Sequence, residues 1–111
     1  LIPAVAYLSA YRIKREFRRS MDRVMDRFDL LLTPSTSSPA PQGLESTGDA
    51  WFQVPWSFSG LPTITLPSGL SKEGLPLGVQ LAGKAFAEGK LLAWARWCEK
   101  VLEVSLSSVL D

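Results

Sequence analysis

Two residue types are missing altogether from these 111 residues, histidine and asparagine. Without imidazole the chain holds no Ser-His-Asp or Cys-His nucleophile pair and no histidine metal ligand. Without asparagine it holds no N-glycosylation acceptor. Cysteine is nearly missing too: Cys98 alone can form neither an internal disulfide nor a four-ligand zinc site. A reducing compartment suits such a chain, and a cytoplasmic location is the expectation. No excess of one charge exists either, since 12 Lys and Arg against 11 Asp and Glu leave +1. No global field therefore attracts nucleic acid or an anionic membrane, and neither is expected as a partner. Unbroken apolar runs fall far short of the ~20 residues that span a bilayer. No basic segment precedes the apolar start "LIPAVAYL". The chain opens on Leu1 rather than methionine, which sets the expectation of a piece of something longer.

What is present suits a globular fold. With 46% hydrophobic and 21% charged residues the chain is not of disordered type. A free-standing domain of this length buries roughly two-thirds of its unfolded surface. From 3 to 28, Val5, Leu8, Ile13, Phe17, Met21, Val24, Met25 and Phe28 recur mostly at spacings of three and four, the stripe of an amphipathic helix. Pro3 suits its first turn. Arg12/Glu16 and Arg18/Asp22 stand four apart on the opposite faces. Acids interrupt this basic run and no aromatic stacking set accompanies it, so it reads as a solvated face.

"DLLLTP", 29–34, reads as a short buried strand closed by proline, and the turn formers of 35–48 read as a surface loop. Trp51, Phe52, Val54, Trp56 and Phe58 follow, interrupted by Pro55, as irregular or short helical structure. Gly-Leu-Pro occurs twice, at 60–62 and 74–76, each copy preceding strand-like residues. "TITL", 63–66, and "GVQLAG", 78–83, predict an antiparallel pair joined by an exposed connection, with each proline just outside a strand. Leu91, Leu92, Ala95, Cys98 and Leu102 predict a last helix over 87–104, its stripe widened by Trp94, Trp97 and Val101. So broad a stripe needs a partner surface.

Candidate chemistry is sparse. Gly78, Gly83 and Lys84 have the spacing of a phosphate-binding loop. Ala85 replaces the required hydroxyl, however, and the interior reads as a strand. No serine has a lysine three positions later, the spacing that brings an amine to a hydroxyl within one helical turn. Ser35, Ser37 and Ser38 read as solvated loop residues. The pairs Asp22/Asp26 and Glu99/Glu103 share helix faces, but nothing apolar isolates them to separate their pKa values. Cys98 falls on an apolar stripe, where a thiol packs as a small hydrophobe. The aromatic cluster is different: large rings in an irregular segment line a pocket as readily as they fill a core. Trp51, Phe52 and Trp56 are therefore the candidate substrate-binding residues. Catalytic residues, metal ligands and cofactors are assigned to none of the chain.

The order "YLSAYRIKREFRRSMDRVMDRFDLLLTPSTSSPAP", "GDAWFQVPWSFSGLPTITLPSG", "GLPLGVQLAGKAFAEGKLLAWARWCE" resembles the C-terminal portion of the amidase signature family over roughly residues 3–103. The resemblance implies an α/β class, specifically an α/β/α fold around a mixed sheet, of which 1–111 is an incomplete domain. It further implies carboxamide C–N hydrolysis through an acyl-enzyme formed by a Ser-cisSer-Lys triad with a backbone oxyanion site. That triad belongs to an upstream Gly/Ser-rich signature. No Gly-Gly-Ser-Ser-Gly-Gly run occurs here, so no catalytic residue carries over. The implied partners are the missing N-terminal portion and a small amide substrate. Members that serve as the amidase component of tRNA-dependent amidotransferases tend to carry Asp five before the proline matched by Pro55 and Asn two after it. Ala50 and Ser57 stand there, with Asp49 one place off, which favours a general amidase. The rival reading is a stand-alone interaction module, without catalysis, that dimerises through its exposed helices. Either reading predicts that the 111-residue chain alone leaves a simple carboxamide intact in an ammonia-release assay. Turnover abolished by changing one of its own serines would contradict both.

Overall fold

The computed structural model describes residues 1–103, in the order α1 (Ala4–Met25), β1 (Leu31–Pro34), α2 (Val54–Ser59), β2 (Thr63–Leu70), β3 (Pro76–Ala82) and α3 (Glu88–Leu102). The α/β class is as expected. Position 104, the last of the expected final helix, lies outside the described residues. The segment around Pro55 resolves as a short helix, with proline in the first turn, where its lost donor has no helical partner. Gly60 ends that helix at φ 77, and its N–H reaches the Trp56 carbonyl at 2.8 Å. A side chain at that angle would be strained, which explains this glycine.

The three strands form one sheet in the order β1-β3-β2, and both pairings are antiparallel. The hairpin is longer than its alternating residues suggest. Strand pairing runs through Pro67 to Leu70 and restarts at Pro76, with a bulge between Pro67 and Gly69. Pro67 thus lies inside a strand rather than beside one. The register supplies the reason. Ser35 N–H bonds the Gly78 carbonyl at 3.0 Å, and Gly83 N–H bonds the Pro62 carbonyl at 3.0 Å. Antiparallel bonding alternates along a strand, so the main-chain groups of Leu31 and Thr33 face β3, as do those of Ile64 and Leu66. Leu32, Pro34, Thr63, Thr65 and Pro67 direct theirs outward. Both prolines therefore occupy positions where a missing N–H removes no bond from this sheet.

Paired residues share a face, which makes the sheet two-sided. One face carries Ile64, Leu66, Val79 and Leu81, and α3 seats Leu91 and Ala95 on it, with Cys98 and Leu30 at the margin. The other carries Ala82 and Leu31, packed under Met25, Trp56 and Leu61 from α1, α2 and the turn that follows. Gly83 permits the first contact, because a Cβ there would stand 3.2 Å from the Cβ of Leu91. Two ion pairs, Lys84–Asp26 at 2.9 Å and Lys90–Asp29 at 3.4 Å, tie the β3–α3 connection and the start of α3 to the α1–β1 connection. Both are exposed and add little.

Three expectations need correction. β1 is not a buried strand: it is an edge strand whose alternate residues are exposed, and Leu32 is 66% exposed. α1 ends at Met25 rather than 28, and the apolar residues of its first half, Val5, Leu8 and Ile13, are exposed. Ser35 is buried, although its neighbours Ser37 and Ser38 are exposed. Trp97 and Val101 on α3 are likewise bare.

The dimensions agree with these bare faces. A compact domain of this length has a radius of gyration of about 13 Å, whereas this chain has 17.0 Å and extends 54 × 36 × 19 Å. Its accessible surface is 8746 Å², against roughly 6,100 Å² for a compact protein of this mass. A surplus of more than about 2,000 Å² is the scale of a permanent interface. Gly83→Ala is expected to lower stability by about 1–3 kcal/mol through overpacking against Leu91. Gly89→Ala, with open space around its Cβ position, should raise stability by up to about 1 kcal/mol. Denaturant titration of both variants checks the contrast.

Candidate functional site

The aromatic residues singled out from the sequence do come together. Trp51, Phe52 and Trp56, with Thr33, Ser37 and Pro55, line a hollow of about 370 Å³ beside β1. The three differ in exposure. Trp51 is 76% exposed, Phe52 is half-buried, and Trp56 is only 8% exposed because it also roofs the core over Met25 and Ala82. Trp56 therefore does both things proposed for such rings: one surface fills a core and the rim lines a hollow.

The helix that carries Trp56 also places polar side chains over the sheet. Thr33, Gln80 and Thr65 stand in one row across β1, β3 and β2. Gln53, just before α2, donates its amide to the Ser35 carbonyl. Ser35 Oγ approaches Thr65 Oγ1 at 3.4 Å, passing over Gly78. A Cβ at position 78 would lie 2.9 Å from that serine oxygen and 3.0 Å from Thr65 Cγ2, so only glycine lets the hydroxyls meet. Thr33 Oγ1, Gln53 Oε1, Trp56 Nε1 and Gln80 Oε1 are sealed from solvent without a protein partner. Each such group costs about 1–3 kcal/mol if left unpaired. Sequence reading missed this polar row. Its signal was the period-two run Thr33, Ser35 and Thr63, Thr65, which looked like ordinary strand alternation.

The loop beyond β1 borders a second hollow of about 370 Å³, lined by Ser35 to Pro41, Thr47 to Asp49, and parts of β2 and β3. Asp49 anchors its rim by accepting a short bond from the Ser37 hydroxyl and a 3.0 Å bond from the Trp51 N–H. These two bonds, the hydroxyl first, hold the Asp49 carboxyl below its ordinary 3.8. Asp49 thereby positions Trp51 at the mouth of the aromatic hollow.

General-base chemistry is not assembled among the described residues. Lys84 and Lys90 pair with Asp26 and Asp29, and Lys14 stands over the Phe58 ring. Gly78 and Gly83 bracket a paired strand rather than a phosphate-binding loop. Among the described residues no three of His, Cys, Asp and Glu gather to hold a metal. What the described residues do assemble is an apolar hollow beside a row of polar groups.

Comparison with known proteins gives this arrangement a family. The amidase family model matches residues 3–92, and the chain belongs to the amidase family. The glutamyl-tRNA(Gln) amidotransferase A-subunit of Agathobacter rectalis is 32% identical over 112 residues, covering 95% of this chain and 22% of the relative. The corresponding mitochondrial protein of Xenopus laevis is 36% identical over 109 residues, covering 89% and 21%. Among solved structures, 6-aminohexanoate cyclic dimer hydrolase superposes with a TM-score of 0.80 at 27% identity, covering 93% of this chain and 26% of that one. The glutamyl-tRNA(Gln) amidotransferase A-subunit of Thermotoga maritima superposes with a TM-score of 0.69 at 32% identity, covering 86% and 24%. The chain thus spans about a fifth of the length of the curated relatives it matches.

Because the folded Asp49 carboxyl titrates below its unfolded value, its contribution is complete above the unfolded pKa and is lost as pH falls through the lower folded one. Ser37→Ala is expected to move the Asp49 titration upward, while Ser38→Ala leaves it in place. Carboxyl-carbon NMR titration distinguishes the two.

Proposed function

We propose that this chain is the C-terminal portion of an amidase that hydrolyses a carboxamide C–N bond, its nucleophile and base residing in the rest of the enzyme. The carrying observation is the aromatic hollow of Trp51, Phe52 and Trp56 set over a sheet of amidase-family fold. In this reading the hollow forms one wall of the substrate site. Trp51 and Phe52 contact the apolar part of a small amide, and Trp56 holds that wall to the sheet. The remainder of the enzyme is the partner that brings the activated serine and lysine to the reacting carbonyl.

A second reading, the amidase component of a tRNA-dependent amidotransferase, draws on the 32% and 36% identities to glutamyl-tRNA(Gln) amidotransferase proteins. Ala50 and Ser57 favour the first. A cytoplasmic enzyme is consistent with both readings and belongs to the same proposal.

In the full-length gene product, Trp51→Ala and Phe52→Ala are expected to raise KM for an aryl amide about tenfold, a loss of about 1.4 kcal/mol in uniform binding, with kcat nearly unchanged. Steady-state kinetics on an anilide substrate reads the split. Unchanged KM in both variants would remove the hollow from the substrate site, and a gene product without upstream amidase sequence would remove the enzyme.

A further inference from the structure

On the face of β3 that meets α2, Gly78, Gln80 and Ala82 stand in line, about 7 Å from one to the next. α2 is held at both ends of that line. At the Gly78 end the Gln53 amide donates to the carbonyl of Ser35, whose N–H bonds Gly78, and at the Ala82 end the Trp56 ring packs into the core. Gln80 lies between the two attachments. It is 4% exposed, it borders a hollow of about 290 Å³ together with Gln53 and Trp56, and it has Thr33 opposite it on β1. A helix of six residues has few hydrogen bonds of its own, so the layer beneath it decides where it sits.

The four sealed polar atoms of this layer are matched in kind. The Trp56 indole N–H can only donate, the side-chain carbonyls of Gln53 and Gln80 can only accept, and the Thr33 hydroxyl does both. Solvent reaches none of them, so their partners come from within the layer. Gln53 is drawn by its bond to Ser35 toward Gly78, away from the Ala82 end where the indole packs. Thr33 faces Gln80 across the strand pair, which leaves its hydroxyl proton for a glutamine oxygen. The terminal torsion of a glutamine is soft, and a turn of the Gln80 carboxamide brings its oxygen to the indole at little cost.

We infer that Gln80 is the positioning residue of the aromatic wall: its side-chain carbonyl accepts the Trp56 indole N–H and thereby fixes α2, with Trp51 and Phe52 just before it, over the sheet. The inference rests on the proposed function and deepens it. Gln80 acts on the substrate only through Trp56, and the shape of the hollow follows from that one bond.

The full-length gene product, with its indole nitrogens isotope-labelled for NMR, tests this. Gln80→Met, close in volume but without the carbonyl acceptor, is expected to shift the Trp56 indole resonance and to speed its hydrogen exchange at least about tenfold. Gln80→Glu, which keeps an oxygen there, and Gln53→Met leave that resonance in place. KM for the anilide rises about fivefold in Gln80→Met with kcat nearly unchanged, and Gln80→Glu restores it. A crystal structure of the unsubstituted enzyme should place Trp56 Nε1 within about 3.2 Å of Gln80 Oε1, a measurement that holds even if Gln80→Met does not fold. An indole bonded instead to Thr33, Gln53 or water overturns the inference. So does a resonance or a KM that Gln80→Met leaves unmoved in an enzyme whose KM still rises with Trp51→Ala, and the functional reading then stands. Unmoved KM in both Trp51→Ala and Phe52→Ala overturns the functional reading, and the role of Gln80 with it.

Discussion

Everything described depends on β3 being paired on both sides. Its odd and even residues send hydrogen bonds to opposite neighbours, and its side chains alternate between two unlike surfaces. Leu81 and Val79 meet α3, while Ala82, Gln80 and Gly78 meet α2 and the loop after β1. A slip of one residue would exchange these sets, sending Gln80 toward Leu91 and Leu81 toward the polar row. Register, core and candidate site are consequences of the same pairing.

The second consequence is incompleteness. A three-stranded sheet with one helix over two of its strands cannot cover the apolar half of α1, the outer face of α3 and Leu32 at once. The extra exposed area and the large radius of gyration are the geometric expression of that shortage. In a family whose curated members are several times longer, the bare faces read as contacts waiting for the remainder of the fold. The same incompleteness accounts for the chemistry. In the proposed function, the hollow under Trp51 and Phe52 supplies shape and apolar contact, Asp49 holds the Trp51 N–H at its mouth, and the reacting groups belong to the rest of the enzyme.

Much of this architecture was legible in the residues. Both long helices announce themselves by three-and-four spacing, and "TITL" and "GVQL" by alternation. The aromatic cluster is dense enough to be picked out before any fold is known. Less legible were the continuation of β2 through Pro67 and the edge character of β1. Proline ordinarily ends a strand, and only the register shows that both prolines face away from β3. Ser35 was similarly misleading. It opens a loop by composition, yet Gly78 leaves room for its hydroxyl to sit against Thr65.

Sequence by itself determined the element types, the family, and the lack of any serine with a lysine at catalytic spacing. The element types and the serine–lysine spacing follow from local periodicity and residue types a few positions apart, and the family from the resemblance in motif order over roughly residues 3–103. Tertiary structure alone decided which strand lies in the middle, which apolar stripes find partners, and that Thr33, Gln80 and Thr65 share a row beneath Trp56. Such facts join positions tens of residues apart. They depend on how strands pair and how far one helix can reach across a sheet, and no local pattern encodes that reach.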